Sequence, residues 1–219
     1  MFGQDCGLNP DEINVDRSDR MITHIICDMG GVLVQLQWSE RVSKLLGRAV
    51  PLDELHQLWI QARSTVDFES GRLTFDEFAN AFIMEFGLTL SPAMVQQEFL
   101  EFVQAPMAGY EAVIRQLQQS YHVSLLSNTN AAHYAKLRDC YSFYAPFDCV
   151  FLSHQIGLMK PDPAIFEHVL QALDIAPAAA AFFDDGARNV EAAKNVGLQA
   201  YQVYSPSEVM ERVKTLATL

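Results

Sequence analysis

The chain has few basic residues and no apolar run as long as a membrane span. Its 219 residues include 15 Lys and Arg against 27 Asp and Glu, giving a formal net charge of −12. Nucleic-acid binding calls for a basic surface, and a spanning helix needs about 20 apolar residues, so neither a nucleic acid nor a membrane is an expected partner. A small anionic substrate stays compatible with this charge, because a bound divalent cation can reverse the local field.

Cysteine is also scarce, and its spacing forms no motif. Cys6, Cys27, Cys140 and Cys149 include no CxxC pair, so neither a zinc site nor a disulfide framework is predicted. Unpaired thiols fit a reducing cytoplasm, which is the expected localisation. Residues 1–20 are polar and lack the apolar segment of a secretory signal, and they are predicted to form a flexible N-terminal extension.

Short apolar runs alternate with helical patterns in residues 21–37 and 105–219. This alternation predicts an α/β core with a doubly wound, parallel (Rossmann-like) sheet. Residues 38–104 instead place apolar side chains three and four positions apart, with many phenylalanines and no convincing strand. Thr74 and Glu77 have the spacing of a helix capping box. We therefore predict an α-helical cap inserted into the α/β core.

Polar side chains follow the predicted strands of this core. The carboxyl ends of parallel strands lie at one edge of a sheet, so these groups should meet there. Crowded carboxylates repel one another unless a cation lies among them, and oxygen ligands favour Mg²⁺. A hydroxyl and a lysine suit phosphoryl oxygens, and a remaining carboxylate can act as a nucleophile. The residues concerned are Asp28, Ser127, Asn128, Lys160, Asp184 and Asp185.

Four motifs at these positions resemble the haloacid dehalogenase-like superfamily of Mg²⁺-dependent phosphohydrolases. They read DMGGV at 28–32, SN at 127–128, KP at 160–161 and DD at 184–185. The helical insert corresponds to the C1-type cap of that superfamily. The segments LSNTN at 126–130, GLMKP at 157–161 and FFDDGARN at 182–189 further resemble its α-D-glucose-1-phosphatase branch.

The resemblance implies a role for each matching residue. Asp28 would accept the phosphoryl group and ligate the metal, together with the Gly30 carbonyl, Asp184 and Asp185. Ser127, Asn128 and Lys160 would hold the phosphoryl group, with Lys160 also counted as catalytic, and Asn189 would orient the metal site. The implied activity is hydrolysis of a small phosphorylated metabolite, with sugar phosphates such as glucose 1-phosphate favoured, by a monomer or a homodimer.

One position departs from the family pattern. Most phosphatases of the superfamily have an acid/base aspartate two residues after the nucleophile, where this chain has Gly30. The departure leaves open a catalytically idle binding or regulatory protein. A 2-haloacid dehalogenase with Asp28 as a carbon nucleophile is a further alternative, although metal-free alkyl transfer has no use for Asp184 and Asp185. The branch related to glucose-1-phosphatase also has Gly at this position.

Substrate specificity is expected to come from the cap. The polar stretch 63–72 is predicted to be a substrate-facing loop, in which Asp67 and Glu69 would accept hydrogen bonds from sugar hydroxyls and Arg63 is a further candidate. Trp38 and Trp59 are candidates either for the wall of the cleft between cap and core or for core packing, and core packing is the favoured assignment.

Overall fold

The computed structural model describes residues 21–217, so the predicted extension at residues 1–20 lies outside the described part of the chain. The strands are β1 (His24–Cys27), β2 (Val34–Leu36), β3 (Val103–Pro106), β4 (His122–Ser127), β5 (Cys149–Leu152), β6 (Ala180–Asp184) and β7 (Gln199–Gln202). The helices are α1 (Trp38–Leu45), α2 (Leu52–Gln61), α3 (Arg63–Glu69), α4 (Phe75–Phe86), α5 (Pro92–Leu100), α6 (Tyr110–Leu117), α7 (Ala131–Tyr141), α8 (Ser153–Ile156), α9 (Pro163–Leu173), α10 (Ala187–Val196) and α11 (Pro206–Leu216).

Five strands form one parallel sheet in the order β5-β4-β1-β6-β7. The first strand in sequence is therefore the central one, and the strand order reverses on either side of it. Cys27 at the end of β1 is in register with Leu125 and Phe183 on the two neighbouring strands. The predicted α/β fold with a parallel sheet and a helical insert is confirmed.

Both faces of the sheet are buried, because alternate strand residues point to opposite sides. On β6, Phe183 packs with α6, α7 and α11 on one face, whereas Phe182 packs with α9 and α10 on the other. This double burial explains why the central strands β1 and β6 are apolar over nearly their whole length. It also fixes the register, since a one-residue slip would exchange the two faces.

The helices α1–α5 form an insert with a separate core of aromatic rings. Phe78 stacks on Phe68 and contacts Phe99, with ring centroids 4.6 Å apart in both pairs. Thr74 and Glu77 form the reciprocal hydrogen bonds of a capping box at the start of α4. No helix within residues 21–217 is long and apolar enough to cross a bilayer.

Two local predictions for the insert were wrong. Residues 38–104 were expected to contain no strand, but β3 begins at Val103 and pairs with β2 in an antiparallel ribbon at the base of the insert. These strands are too short to show an alternating pattern. The stretch 63–72 was expected to be a loop, yet α3 occupies most of it. Glu85 of α4 stabilises the start of α3 by accepting hydrogen bonds from the N–H groups of Arg63 and Ser64.

Candidate active site

Asp28 lies immediately beyond the end of the central strand. Its backbone N–H donates to the carbonyl of Phe183 across 2.8 Å, which holds the residue in line with the β1–β6 ladder. The chain then turns at Gly31, where φ is +73°. A Cβ atom at Gly31 would lie 2.1 Å from Asp185 Oδ2, so a glycine is needed both for the turn and for the close approach of Asp185.

Lys160 lies between two carboxylates at this edge of the sheet. Its Nζ atom is 2.7 Å from Asp28 Oδ1 and 2.6 Å from Asp184 Oδ2, and it also donates to the Leu126 carbonyl across 3.2 Å. The lysine and both aspartates are buried. Burial would lower the pKa of Lys160, but the two adjacent carboxylates together raise it, so the ammonium group stays charged.

The site contains more negative than positive charge. Oxygen atoms of Asp28, Asp184 and Asp185 lie within 4.8 Å of one another, and Lys160 supplies a single positive charge among them. Burial and mutual repulsion raise the pKa values of Asp28 and Asp185, while Lys160 opposes the shift. A divalent cation would relieve this excess charge. The all-oxygen donor set therefore fits Mg²⁺.

The two adjacent aspartates differ in their surroundings. Asp184 is fully buried and accepts hydrogen bonds through Oδ1 from the Gly186 N–H (2.7 Å) and from Asn189 Nδ2 (2.9 Å). Its other oxygen faces Lys160. Asp185 and Asp28 instead line the adjacent cavity. Asn189 thus holds the Asp184 carboxylate in place, whereas Asp28 and Asp185 lie at the wall of the cavity.

Ser127 and Asn128 both line the same cavity, but the amide of Asn128 is already engaged. Its Nδ2 donates to the Lys160 carbonyl and its Oδ1 accepts from the Lys160 N–H, each across 2.8 Å. The Asn128 side chain therefore positions Lys160, and the role of Asn128 as a phosphate ligand stays a prediction. The Ser127 hydroxyl donates to the Asn128 carbonyl across 3.2 Å, and Ser127 lines the same cavity as Asp28.

A cavity of about 540 Å³ extends from these residues to the insert. Much of its wall is apolar, which the sequence did not indicate. Trp38 and Trp59, for which core packing was favoured over lining of the cleft, both line it and meet edge to face with centroids 5.8 Å apart. Gly30 also lines the cavity. Other apolar residues on the wall include Met29, Leu36, Ile60, Phe102, Leu158 and Met159.

The predicted specificity residues separate into two groups. Arg63 and Asp67 do not line the cavity, and Asp67 is held by Arg63 (3.4 Å) and by Arg72 (2.7 Å) in ion pairs. Glu69 does line it, and its Oε1 accepts from Trp59 Nε1 across 3.3 Å. Burial raises the pKa of Glu69 to about 7, although Trp59 and Lys160 both favour the ionised form.

The insert is attached to the core near Glu69, through contacts that sequence reasoning missed. Ser153 Oγ lies 2.6 Å from the Glu69 carbonyl oxygen and accepts from the Thr129 N–H at 2.9 Å. A Cβ atom at Gly71 would lie 2.0 Å from the carbonyl oxygen of His154, so the backbones touch at this point. Because serine and glycine are common in loops, no sequence signal marks these contacts.

The fold and site define a class of hydrolase in which carboxylates at the end of a parallel sheet work with a magnesium ion beneath a helical cap. The sequence profile of the haloacid dehalogenase-like hydrolase family matches residues 22–197. The chain belongs to this family, and it is a phosphatase within it.

Individual relatives agree with this assignment. The chain is 32% identical over 193 residues to a D-ribitol-5-phosphate phosphatase of Bacteroides thetaiotaomicron, covering 83% of this chain and 92% of that protein. A sesquiterpene phosphatase of Aspergillus oryzae is 30% identical over 174 residues, covering 79% and 85%. A crystal structure of a family enzyme from B. thetaiotaomicron, in complex with magnesium and inorganic phosphate, has a TM-score of 0.68 and 26% identity, covering 83% and 93%. Magnesium as the cofactor is supported by that complex and by the acidic cluster.

Proposed function

We propose that this chain hydrolyses a small phosphorylated metabolite through an aspartyl-phosphate on Asp28. The observation that carries the proposal is the convergence of Asp28, Asp185 and Lys160 at one end of a cavity large enough for a small molecule. Asp28 is the carboxylate that both contacts Lys160 and lines the cavity, which makes it the best placed nucleophile.

The surrounding residues have complementary tasks in this proposal. Mg²⁺, held by Asp28, Asp185 and the Gly30 carbonyl, with Asp184 nearby, would neutralise charge on the phosphoryl oxygens. Lys160 orients the Asp28 carboxylate and offers its charge to the same oxygens, as does the hydroxyl of Ser127. Asn128 and Asn189 keep Lys160 and Asp184 in place. Positioning and charge neutralisation thus account for most of the rate enhancement.

The helical insert acts as a cap over this site. We assign residues 21–37 and 105–219 to the core and residues 38–104 to the cap. The cap supplies Trp38, Trp59 and Glu69 to the cavity wall, so its closure excludes water from the phosphoryl group. Its opening then allows the product to leave.

A sugar or polyol phosphate is the first substrate class to test. Glucose 1-phosphate represents the branch that the sequence motifs resemble, and the ribitol-phosphate relative supports the polyol class. The thiols of Cys27, Cys140 and Cys149 are unpaired, which fits a cytoplasmic metabolite as substrate.

The apolar wall of the cavity favours a second substrate class, the phosphate esters of apolar alcohols. Two tryptophans and several aliphatic side chains would bury a hydrocarbon group better than a hydroxylated one. The sesquiterpene phosphatase among the relatives belongs with this class.

One screen tests the function and the substrate class together. Phosphate release is measured with Mg²⁺ from glucose 1-phosphate, ribitol 5-phosphate and farnesyl phosphate, with Asp28→Asn as the blank. Release that requires both Mg²⁺ and Asp28 supports the proposal, and the preferred ester identifies the class. Equal release by both proteins shows that Asp28 is not the nucleophile, and halide release from a 2-haloacid in EDTA would support the dehalogenase alternative.

A further inference from the structure

The residue after Met29 cannot take part in proton transfer, because Gly30 has no side chain. The space above it is occupied by an apolar group: a Cβ atom at Gly30 would lie 2.9 Å from Leu36 Cδ1. An alcohol leaving group needs a proton as its bond to phosphorus breaks, and a positioned acid typically contributes ~10²–10⁴-fold to such a step. Another part of the cavity must therefore supply the proton.

Few titratable side chains line the cavity within residues 21–217. Asp28, Asp185 and Lys160 are the groups assigned to the phosphoryl group and the metal. His133 is neutral, because burial lowers its pKa to about 4. Both of its ring nitrogens are in hydrogen bonds, Nδ1 with Asn130 and Nε2 with the Phe99 carbonyl.

Two other charged side chains on the wall are poorly suited to proton transfer. Arg72 is a permanent cation that is bound to Asp67. Asp162 is exposed and accepts the Ala164 N–H at the start of α9. Glu69 of the cap is the remaining titratable side chain on the cavity wall within the described residues.

Hydrogen bonds hold both the backbone and the side chain of Glu69. Its carbonyl oxygen is 2.6 Å from Ser153 Oγ of the core, and its carboxyl group accepts from the indole N–H of Trp59. Glu69 is thus a point of contact between cap and core through its backbone, and it lines the cavity with its side chain. Glu69 lines the same cavity as Lys160 and Asp28, and the charge of Lys160 favours the ionised form of its carboxyl group, which lowers its pKa.

We propose that Glu69 is the general acid and base of this phosphatase, acting from the cap in place of the side chain that Gly30 lacks. The inference rests on the proposed function, since it assigns a second role within the same reaction. Burial keeps the pKa of Glu69 near 7, in the range where a carboxyl group can both give and take a proton at neutral pH.

The proton moves twice in each cycle. In the first step, the Asp28 carboxylate forms a bond to phosphorus, the bond between phosphorus and the alcohol oxygen breaks, and Glu69 gives its proton to that oxygen. In the second step, water attacks phosphorus while the Glu69 carboxylate takes a proton from the water. The bond between Asp28 and phosphorus then breaks, which releases phosphate and restores both side chains to their starting states.

The test compares two esters of similar shape with different leaving groups. Benzyl phosphate must release an alcohol that needs a proton, whereas 4-nitrophenyl phosphate releases a stable anion. We expect Glu69→Gln, which can still accept from Trp59, to lower kcat/KM for benzyl phosphate by ~10²–10⁴-fold and to leave 4-nitrophenyl phosphate near the wild-type value. Glu69→Asp should recover part of the loss with benzyl phosphate.

A matched control separates proton transfer from damage to the cap. Glu85→Gln weakens the hydrogen bonds at the start of the same helix, but Glu85 does not line the cavity. Glu85→Gln should change kcat/KM for the two esters by equal factors. An equal loss on both esters in Glu69→Gln would overturn the acid–base role.

A pH profile gives a second readout. With benzyl phosphate, the wild-type rate should fall as the pH rises above about 7, because Glu69 then loses the proton that it must donate. This fall should be absent in Glu69→Gln, and its persistence there would count against the inference. If wild type and Asp28→Asn release no phosphate from either ester, the proposed function itself fails.

Discussion

Ser153 donates its hydroxyl hydrogen to the carbonyl oxygen of Glu69 across 2.6 Å, which joins the core to the residue that faces the cavity from the cap. The hydroxyl oxygen of Ser153 in turn accepts a hydrogen bond from the Thr129 N–H. This buried hydroxyl is therefore one of the contacts that hold the cap against the core.

Ser153→Ala should loosen this contact. It leaves the Thr129 N–H without its partner, for which we expect a loss of about 1–3 kcal/mol in the free energy of unfolding. Activity should fall as well, because Glu69 and Trp59 are less firmly placed. Urea unfolding and kcat/KM measure the two effects. Ser124→Ala, at a buried serine of β4 that contacts His122, is the control and should leave activity intact; equal activity losses in both variants would contradict the role of Ser153.

Magnesium should stabilise the folded protein through Asp185. At a free Mg²⁺ concentration about 100-fold above its Kd, the expected gain is about 2.7 kcal/mol, and it should vanish in EDTA. Asp185→Asn should fold but lose most of this gain, since it removes a charged oxygen from the cluster. Thermal unfolding with and without Mg²⁺ tests this, with Asp174→Asn at an exposed helix end as control. A Mg²⁺ response in Asp185→Asn equal to wild type would exclude Asp185 as a ligand.

Replacement of Lys160 should lower the free energy of unfolding strongly when no Mg²⁺ is bound. Lys160→Met leaves buried Asp28 and Asp184 without their cationic partner, for which a loss of about 3–5 kcal/mol is expected in urea unfolding at pH 7. Lys44→Met, at an exposed ion pair, should cost less than about 1 kcal/mol.

The loss in free energy of unfolding caused by Lys160→Met should also depend on pH. Burial already raises the pKa of Asp28 and Lys160 opposes that shift, so removing Lys160 raises it further. The folded variant then takes up protons as the pH falls, and its deficit relative to wild type should shrink in acid. A deficit that does not change between pH 7 and pH 5 would show that carboxylate repulsion is not its cause.

An aspartate at position 30 should restore acid–base help from the core. Gly30→Asp requires Leu36 to move, which is feasible because Leu36 is 43% exposed and the contact is with the end of its side chain. We expect a modestly faster rate on benzyl phosphate in the wild-type background, where Glu69 already supplies a proton, and a gain approaching ~10²-fold when the change is combined with Glu69→Gln; the rate on 4-nitrophenyl phosphate should stay similar. Gly30→Asn is the control of equal shape. An unchanged or lower rate on benzyl phosphate in purified Gly30→Asp would count against the idea that an acid at position 30 helps the leaving group.

Several properties of this protein were predictable from the sequence because they depend on short segments. An apolar run followed by Asp28, or by Asp184 and Asp185, marks the end of a buried strand, and parallel strands bring such ends to one edge. The phenylalanine spacing likewise predicted the helices of the insert. The fold class, the helical insert and the choice of magnesium followed from these local patterns.

The tertiary structure decided what each side chain does at the site, because those roles depend on distant partners. Asn128 lies next to Ser127 in sequence, but its amide is used by the Lys160 backbone. Asp67 and Glu69 are two residues apart on one helix, so they point in different directions, and ion pairs hold Asp67 while Trp59 and Ser153 place Glu69 at the cavity. A sequence lists which groups are available, whereas hydrogen bonds and burial between remote segments determine which of them can reach a substrate.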